Sequence, residues 1–225
     1  MQGVLLNSVS IKLVYIHIDM YTCPGMRRDS TGIPYGAFMR RFAIIGHRAV
    51  TDPGFSLNDM PGSAGRMDIL CRCVNSCFFL SHDLRRDVEC YLILKGGPET
   101  TILFKGETIR SLNPDERSAG ALIKKALGKT CGSEFIESSP GVFIRHGGLE
   151  RLISEYPFAV LDESGDDIRA VGSLPENLLL SDHQNLAEEE EALIADLPRL
   201  SVGPQVLHAD HAITIYLNEF DRRSA

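Results

Sequence analysis

An α/β fold with a mainly parallel sheet is what the sequence predicts, on three observations. Short apolar runs of strand length recur along the chain, each bounded by polar turns. Between them lie stretches whose apolar residues fall at helical spacing, such as Leu70, Val74 and Cys77. The two kinds of segment alternate, as they do when helices join the strands of a largely parallel sheet. A chain of 225 residues has room for one such domain with an appendage, or for two small domains.

The first strand is expected at Arg40-Arg41-Phe42-Ala43-Ile44-Ile45-Gly46-His47, directly after a second methionine, Met39. The domain is therefore expected to span 39–225. Residues 1–38 mix apolar patches with polar turns and are expected to be an N-terminal extension, either a mis-assigned start or a poorly ordered stretch. They lack a basic segment followed by a clean apolar core and cleavage site, so neither a signal nor an anchor is expected. A loop rich in Gly and Pro follows the first strand, then a helix over Arg66 to Leu80. Val88 to Leu94 is a strand ended by Gly96-Gly97, with Thr101 to Phe104 as its hairpin partner. The clearest helix start has Asn113 as N-cap, Pro114 at N1 and Glu116 at N3, with a stop at Gly128. Beyond a polar loop come a short strand at Val142 to Ile144 and a helix from Gly148 to Tyr156, ended by Pro157. Buried strands are expected at Phe158 to Leu161 and Leu178 to Leu180. An acidic helix over Leu186 to Leu197, a strand at Leu200-Ser201-Val202 and a final helix over Ala209 to Phe220 complete the chain.

Charge narrows the function. The net charge is −7, yet residues 140–225 hold 16 acids against 6 bases while residues 1–139 hold 14 against 17. A uniformly basic nucleic-acid protein is excluded; a locally basic face on the first half is not. No apolar run approaches the ~20 residues of a membrane span. The six cysteines are expected to be reduced thiols of a cytoplasmic protein.

Several tempting motifs dissolve on inspection. Gly128-Lys129-Thr130 lacks the upstream Gly and the preceding strand of a phosphate loop. Cys71, Cys73 and Cys77 fall within a helix at spacings that fit buried packing rather than zinc. His208, Asp210 and His211, with Asp182-His183, could hold a divalent ion, but only if two segments converged; the structural reading is preferred and no metal is expected. The run Glu188 to Glu191 reads as a solvated helix face. The richest segment runs from Pro61 to Asp87. Gly62 and Gly65 permit close backbone approach. Arg66, Asp68 and Arg72 emerge from the first turns of a helix, Arg66 and Arg72 on roughly different sides and Asp68 within reach of Arg72. Arg85 and Arg86 follow that helix. Two arginine groups flanking one helix could hold phosphates; they could equally be an ion pair and surface charge.

The run from Pro61 to Val74 (PGSAGRMDILCRCV) resembles the signature of the archaeal-type tRNA pseudouridine-54 N1-methyltransferases. So do Phe78 to Val88 (FFLSHDLRRDV), Leu112 to Arg117 (LNPDER), Ser139 to Val142 (SPGV) and Leu207 to Thr214 (LHADHAIT), in the same order from Met39 onward. The resemblance implies a SPOUT-type α/β fold with a C-terminal trefoil knot, acting as a homodimer on tRNA with S-adenosyl-L-methionine. Threading of this kind is an exception to the usual absence of knots. Carried over by position, Leu161, Ser181, Leu200, Ser201, Val202, Gly203, Leu207 and Ala212 should line the cofactor pocket. Family members often have Gly where Ser181 stands and Cys where Ala212 stands; both replacements are small, and they rule out a catalytic thiol there. Asp68 is the expected acceptor of the N1 proton, Arg66 and Arg72 orient base and phosphate, and Arg85 and Arg86 track the RNA backbone. Competing readings are a same-fold enzyme acting on a pseudouridine of ribosomal RNA, a non-catalytic RNA-binding or assembly factor, and a metal-dependent hydrolase using His183, His208 and His211.

Overall fold

The structure is a computed structural model that describes residues 39–224; the extension expected over residues 1–38 lies outside the described residues. In chain order the elements are β1 (Arg40–Gly46), α1 (Met60–Ser63), α2 (Met67–Phe78), β2 (Val88–Leu94), β3 (Thr100–Lys105), α3 (Glu116–Leu127), β4 (Ile136–Ser139), β5 (Val142–His146), α4 (Leu149–Glu155), β6 (Ala159–Asp167), β7 (Asn177–Ser181), α5 (Glu188–Leu193), β8 (Arg199–Ser201) and α6 (Ala209–Arg223).

The strands form one sheet in the order β4-β5-β3-β2-β1-β7-β6-β8. Neighbours from β2 through β1, β7 and β6 to β8 run parallel. β2, β3, β5 and β4 pair antiparallel. The sheet is thus mixed, with four parallel pairings and three antiparallel ones. The physical reason is connection length, because short turns after β2 and β4 can only reverse the chain, whereas parallel neighbours need a crossover. The β2–β3 hairpin is as expected, with Leu92 opposite Ile102. β4 lies in the stretch read as a polar loop; its residues (IESS) carry little apolar pattern because it is an edge strand with one partner.

The central strand explains the layering. Phe42 and Ile44 of β1 face one core, with α2, α3 and α6. Ala43 and Ile45 face the other, with α4 and the residues flanking α5. All four are fully buried. Such a strand is covered on both sides, so it reads as a continuous apolar run rather than an alternating one.

The bounds of α3 and α5 differ from expectation. α3 begins at Glu116 with Asp115 as N-cap, its carboxylate accepting from the Ser118 backbone N–H at 2.7 Å. The cap thus sits two residues later than Asn113, because a carboxylate there reaches the open N–H groups. Asp115→Ala is expected to cost about 1 kcal/mol in denaturant unfolding, and Asn113→Ala less. α5 covers Glu188–Leu193 instead of Leu186 to Leu197. β6 is longer than expected. Its register against β8 jumps between Leu161 and Asp166, so the intervening residues bow out of the ladder. At Gly165 a Cβ would lie 2.4 Å from the Leu200 backbone nitrogen, so only glycine allows β8 to pass this close.

Candidate active site

A cleft of about 700 Å³ opens beside the carboxyl end of β7, against β6, β8 and the start of α6. Leu161 comes from β6 where the ladder jumps, Ser181 from the end of β7, and Leu200 and Ser201 from β8. Val202, Gly203 and Leu207 come from the loop that follows, and Ala212 from the first turns of α6. Every residue expected to line a cofactor pocket therefore borders this one cleft. Asp162, Glu163, Asp182, His183 and Gln184 line it as well. Little in the sequence marks the first two and the last, because they reach the cleft through the jump in β6 and the turn after β7. Ser201 Oγ donates to the Gly203 carbonyl at 2.8 Å and shapes the loop entry.

The arginine cluster lies at the start of α2 and reaches the start of α6 through Asp210. Gly65 and Arg66 are both left-handed, at φ 62° and 67°. At Gly65 a Cβ would fall 1.7 Å from the Arg48 carbonyl oxygen, so no other residue fits there without backbone movement. For Arg66 the same conformation costs roughly 1–2 kcal/mol. Its effect is to turn the Arg66 side chain back over the helix start. Arg66 donates to Asp68 through Nε at 3.1 Å and Nη2 at 3.2 Å, and Arg72 donates to Asp68 through Nη1 at 3.1 Å. The expectation that Arg66 and Arg72 lie on different sides is corrected: helical spacing does not apply to Arg66, which precedes the helix in a left-handed turn.

Asp68 is buried. Burial pushes its carboxyl up, but the hydrogen bonds and charges of Arg66 and then Arg72 outweigh it and hold the group below the usual carboxylate range. Arg72 also donates to Glu116 at 3.3 Å, and its Nε lies 3.9 Å from Asp210 Oδ2. Asp210 stands in the first turn of α6, beside cleft-lining His208, Ala209 and Ala212. None of Arg66, Asp68 and Arg72 lines the cleft itself; the link runs from Arg72 through Asp210 to its cleft-lining neighbour Ala209.

Arg85 and Arg86 do not join them. They follow the other end of α2, roughly 18 Å along the helix by its rise per residue. Arg85 pairs with Asp221 of α6, with Nη1 to Oδ1 at 2.9 Å, and is largely covered. Arg86 donates to the Gly106 carbonyl at 3.0 Å and the Ile109 carbonyl at 3.3 Å while exposing about half its side chain.

The remaining motifs take structural places. Cys71, Cys73 and Cys77 are buried in the core, where burial pushes each thiol up. His183 and His208 border the cleft, His183 lies 3.4 Å from Asp182, and His211 lies 3.7 Å from Asp210. Among the described residues no three His, Cys, Asp or Glu gather closely enough to hold a metal ion. The acidic run is corrected in one member. Glu190 is not solvated but 2% exposed, turned inward to accept from the Ala187 N–H at 2.8 Å and to pair with Lys95 and His47. A four-glutamate run hides this, because one inward position in a six-residue helix leaves no periodic signal.

Comparison with known proteins bears on family and fold. A family model described as "Putative SAM-dependent RNA methyltransferase" matches residues 39–225. The chain is similar to a tRNA (pseudouridine(54)-N(1))-methyltransferase of Methanocorpusculum labreanum, at 65% identity over 82% of this chain and 98% of that protein. It is similar to one of Methanococcoides burtonii at 55% identity, over 82% of this chain and 96% of that protein. Among solved structures it resembles Archaeoglobus fulgidus Nep1 bound to S-adenosylhomocysteine. The TM-score is 0.57 at 14% identity, covering 84% of this chain and 100% of that one, a likeness of fold. On the extent and identity of these matches, the chain belongs to the tRNA (pseudouridine(54)-N(1))-methyltransferase family.

Proposed function

We propose that the protein methylates N1 of pseudouridine 54 in the T-loop of tRNA, using S-adenosyl-L-methionine held in the cleft between β6, β7, β8 and α6. The observation that carries this reading is the convergence of Leu161, Ser181, Leu200 to Gly203, Leu207 and Ala212 on one cleft, with the Arg66–Asp68–Arg72 cluster linked to the adjoining start of α6 through Asp210.

The residues present fit the cofactor. The cleft volume lies within the ~300–1,000 Å³ of small-molecule sites. Leu161, Leu179, Leu180 and Leu200 offer apolar surface to an adenine, and Asp162 and Glu163 suit a ligand bearing sulfonium and ammonium charge. Gln184 borders the cleft, and its buried Nε2 has no hydrogen-bond partner among the described residues. When bound, the cofactor supplies an electrophilic sulfonium methyl.

The chain's own residues orient the other reactant. Pseudouridine carries an N1–H that uridine lacks, so its methylation leaves S-adenosylhomocysteine and a proton, which passes to solvent. Arg66 and Arg72, fixed by one carboxylate, present guanidinium donors to base and phosphate. Orientation of this kind accounts for roughly 7–11 kcal/mol at best. Asp68 is a weak base in this setting, with both oxygens engaged and its basicity lowered. These observations favour Asp68 as the residue that positions the arginines over the proton acceptor expected from the sequence. Arg86, half exposed, is the better placed of its pair to meet an RNA phosphate.

The same reading includes a SPOUT-type fold with a C-terminal trefoil knot, a homodimer and a cytoplasmic location. In its support, β8 sits at the sheet edge beside β6, and the chain then turns past the cleft to pack α6 on α2. No helix of the described residues is long and apolar enough to cross a membrane.

The test is transfer of labelled methyl to tRNA carrying pseudouridine in the T-loop, beside the same tRNA with uridine. Incorporation into the pseudouridine form alone, with N1-methylpseudouridine identified by mass spectrometry, is the expected result. Incorporation into neither, with cofactor still bound, would move the substrate to another RNA such as ribosomal RNA. Failure to bind cofactor would favour a non-catalytic RNA-binding factor.

A further inference from the structure

His47 follows β1 at the carboxyl end of the parallel strands, and its ring lies between two carboxylates. Nδ1 is 2.9 Å from Asp182 Oδ1, and Nε2 is 2.9 Å from Glu190 Oε2. The imidazole is 11% exposed and each carboxylate 2%. A neutral imidazole has one N–H and one lone pair. It could satisfy one of these acids only by aiming its lone pair at the other. Two acceptors at hydrogen-bonding distance therefore require two donors, the imidazolium.

The surrounding charges match that state. Lys95, at the end of β2, pairs with Glu190, so two cations meet two buried carboxylates. His183, from the loop after β7, lies 3.4 Å from Asp182, and Glu99 lies 3.9 Å from Lys95. The hydrogen bond to Asp182 pushes the His47 imidazole above its ordinary value, burial pulls it back by less, and Glu190 adds to the rise. Asp182 and Glu190 are both held below the usual carboxylate range despite burial, Asp182 chiefly by His47 and Glu190 chiefly by Lys95, with His47 contributing. The directions agree across all three groups.

The contacts also tie the cleft wall to elements outside it. Asp182 accepts from the backbone N–H of His47 at 3.0 Å and of Gln184 at 2.9 Å, and its own N–H donates to the Ile45 carbonyl at 3.0 Å. Ser181 through Gln184, a wall of the cleft, is thereby set from the end of β1, and Glu190 extends the link to α5.

We propose that His47 is a positioning residue for the cofactor cleft: as an imidazolium it clamps the Ser181–Gln184 wall to β1 and α5, and cofactor affinity falls when that proton is lost. This rests on the assignment of the cleft to S-adenosyl-L-methionine. A histidine raised on folding contributes its full stabilisation below its unfolded value of about 6.5 and loses it as pH rises through the folded value. The clamp therefore holds on the acid side and opens as pH rises.

The test follows three quantities across pH in the full chain. These are the His47 ring titration by NMR without cofactor, amide-exchange protection of residues 182–187 without cofactor, and S-adenosylhomocysteine affinity by calorimetry. The His47 midpoint is expected above about 6.5. Protection is expected to fall at the same midpoint, and affinity to fall by up to about tenfold for each pH unit above it. Glu190→Gln removes the need for a second ring proton, and all three midpoints are expected to move down together. A His47 midpoint at or below the ordinary value would overturn the proposal. So would a wall and an affinity unchanged across that midpoint. Absence of S-adenosylhomocysteine binding at every pH would strike the cofactor assignment, while the cofactor-free titration and wall protection would still decide whether the clamp exists.

Discussion

Replacing Asp68 by alanine is expected to lower kcat/KM for pseudouridine-containing tRNA by about a hundredfold, with affinity for S-adenosylhomocysteine unchanged. The reason lies in three hydrogen bonds. Asp68 receives two from Arg66 and one from Arg72, and it is the only side chain among the described residues that bonds to both. Arg66 is held in a left-handed turn, and Arg72 has Glu116 as a further partner. Without the carboxylate, Arg72 turns toward Glu116 and Arg66 loses its anchor, so the donors meant for the RNA no longer converge. Asp68→Asn keeps one good acceptor and is expected to retain a larger share of the turnover than alanine. Equal and complete loss in both variants, with RNA binding intact, would instead favour Asp68 as the proton acceptor. Steady-state kinetics with calorimetry on the same preparations separates these outcomes.

Ala212→Leu is expected to weaken S-adenosylhomocysteine binding by about a hundredfold, with a lower thermal midpoint from overpacking around α6. Ala212 lies in the first turns of α6, 8% exposed, with its methyl group on the cleft lining. Leucine is a good helix former, so the helix still forms and the added carbons occupy the cleft. Ala212→Cys adds a single sulfur and is expected to bind nearly as the parent does. If the leucine variant bound S-adenosylhomocysteine with parental affinity, the cleft between β6, β7, β8 and α6 would not be the cofactor site.

Local sequence determined much of the architecture. β1, β2 and β7 were legible because strands covered on both faces must be apolar throughout, as Phe42 to Ile45 and Leu178 to Leu180 are. α2 was legible because Leu70, Val74 and Cys77 recur on one buried face. Motif resemblance then named the lining of a cleft whose members come from β6, β7, β8 and α6, far apart in sequence.

What remained hidden depended on contacts between distant segments. β4 is an edge strand, and little in its own composition marks it. Glu190 reads as one of four equivalent glutamates until His47 and Lys95, about 140 and 95 positions earlier, converge on it. Arg66 reads as a helix residue on the wrong side until Gly65, pressed against the Arg48 carbonyl, turns the chain left-handed. Periodicity and composition record which residues a segment must bury. The protonation of a histidine or the direction of an arginine depends on partners brought together by the fold, and only the tertiary structure decides these.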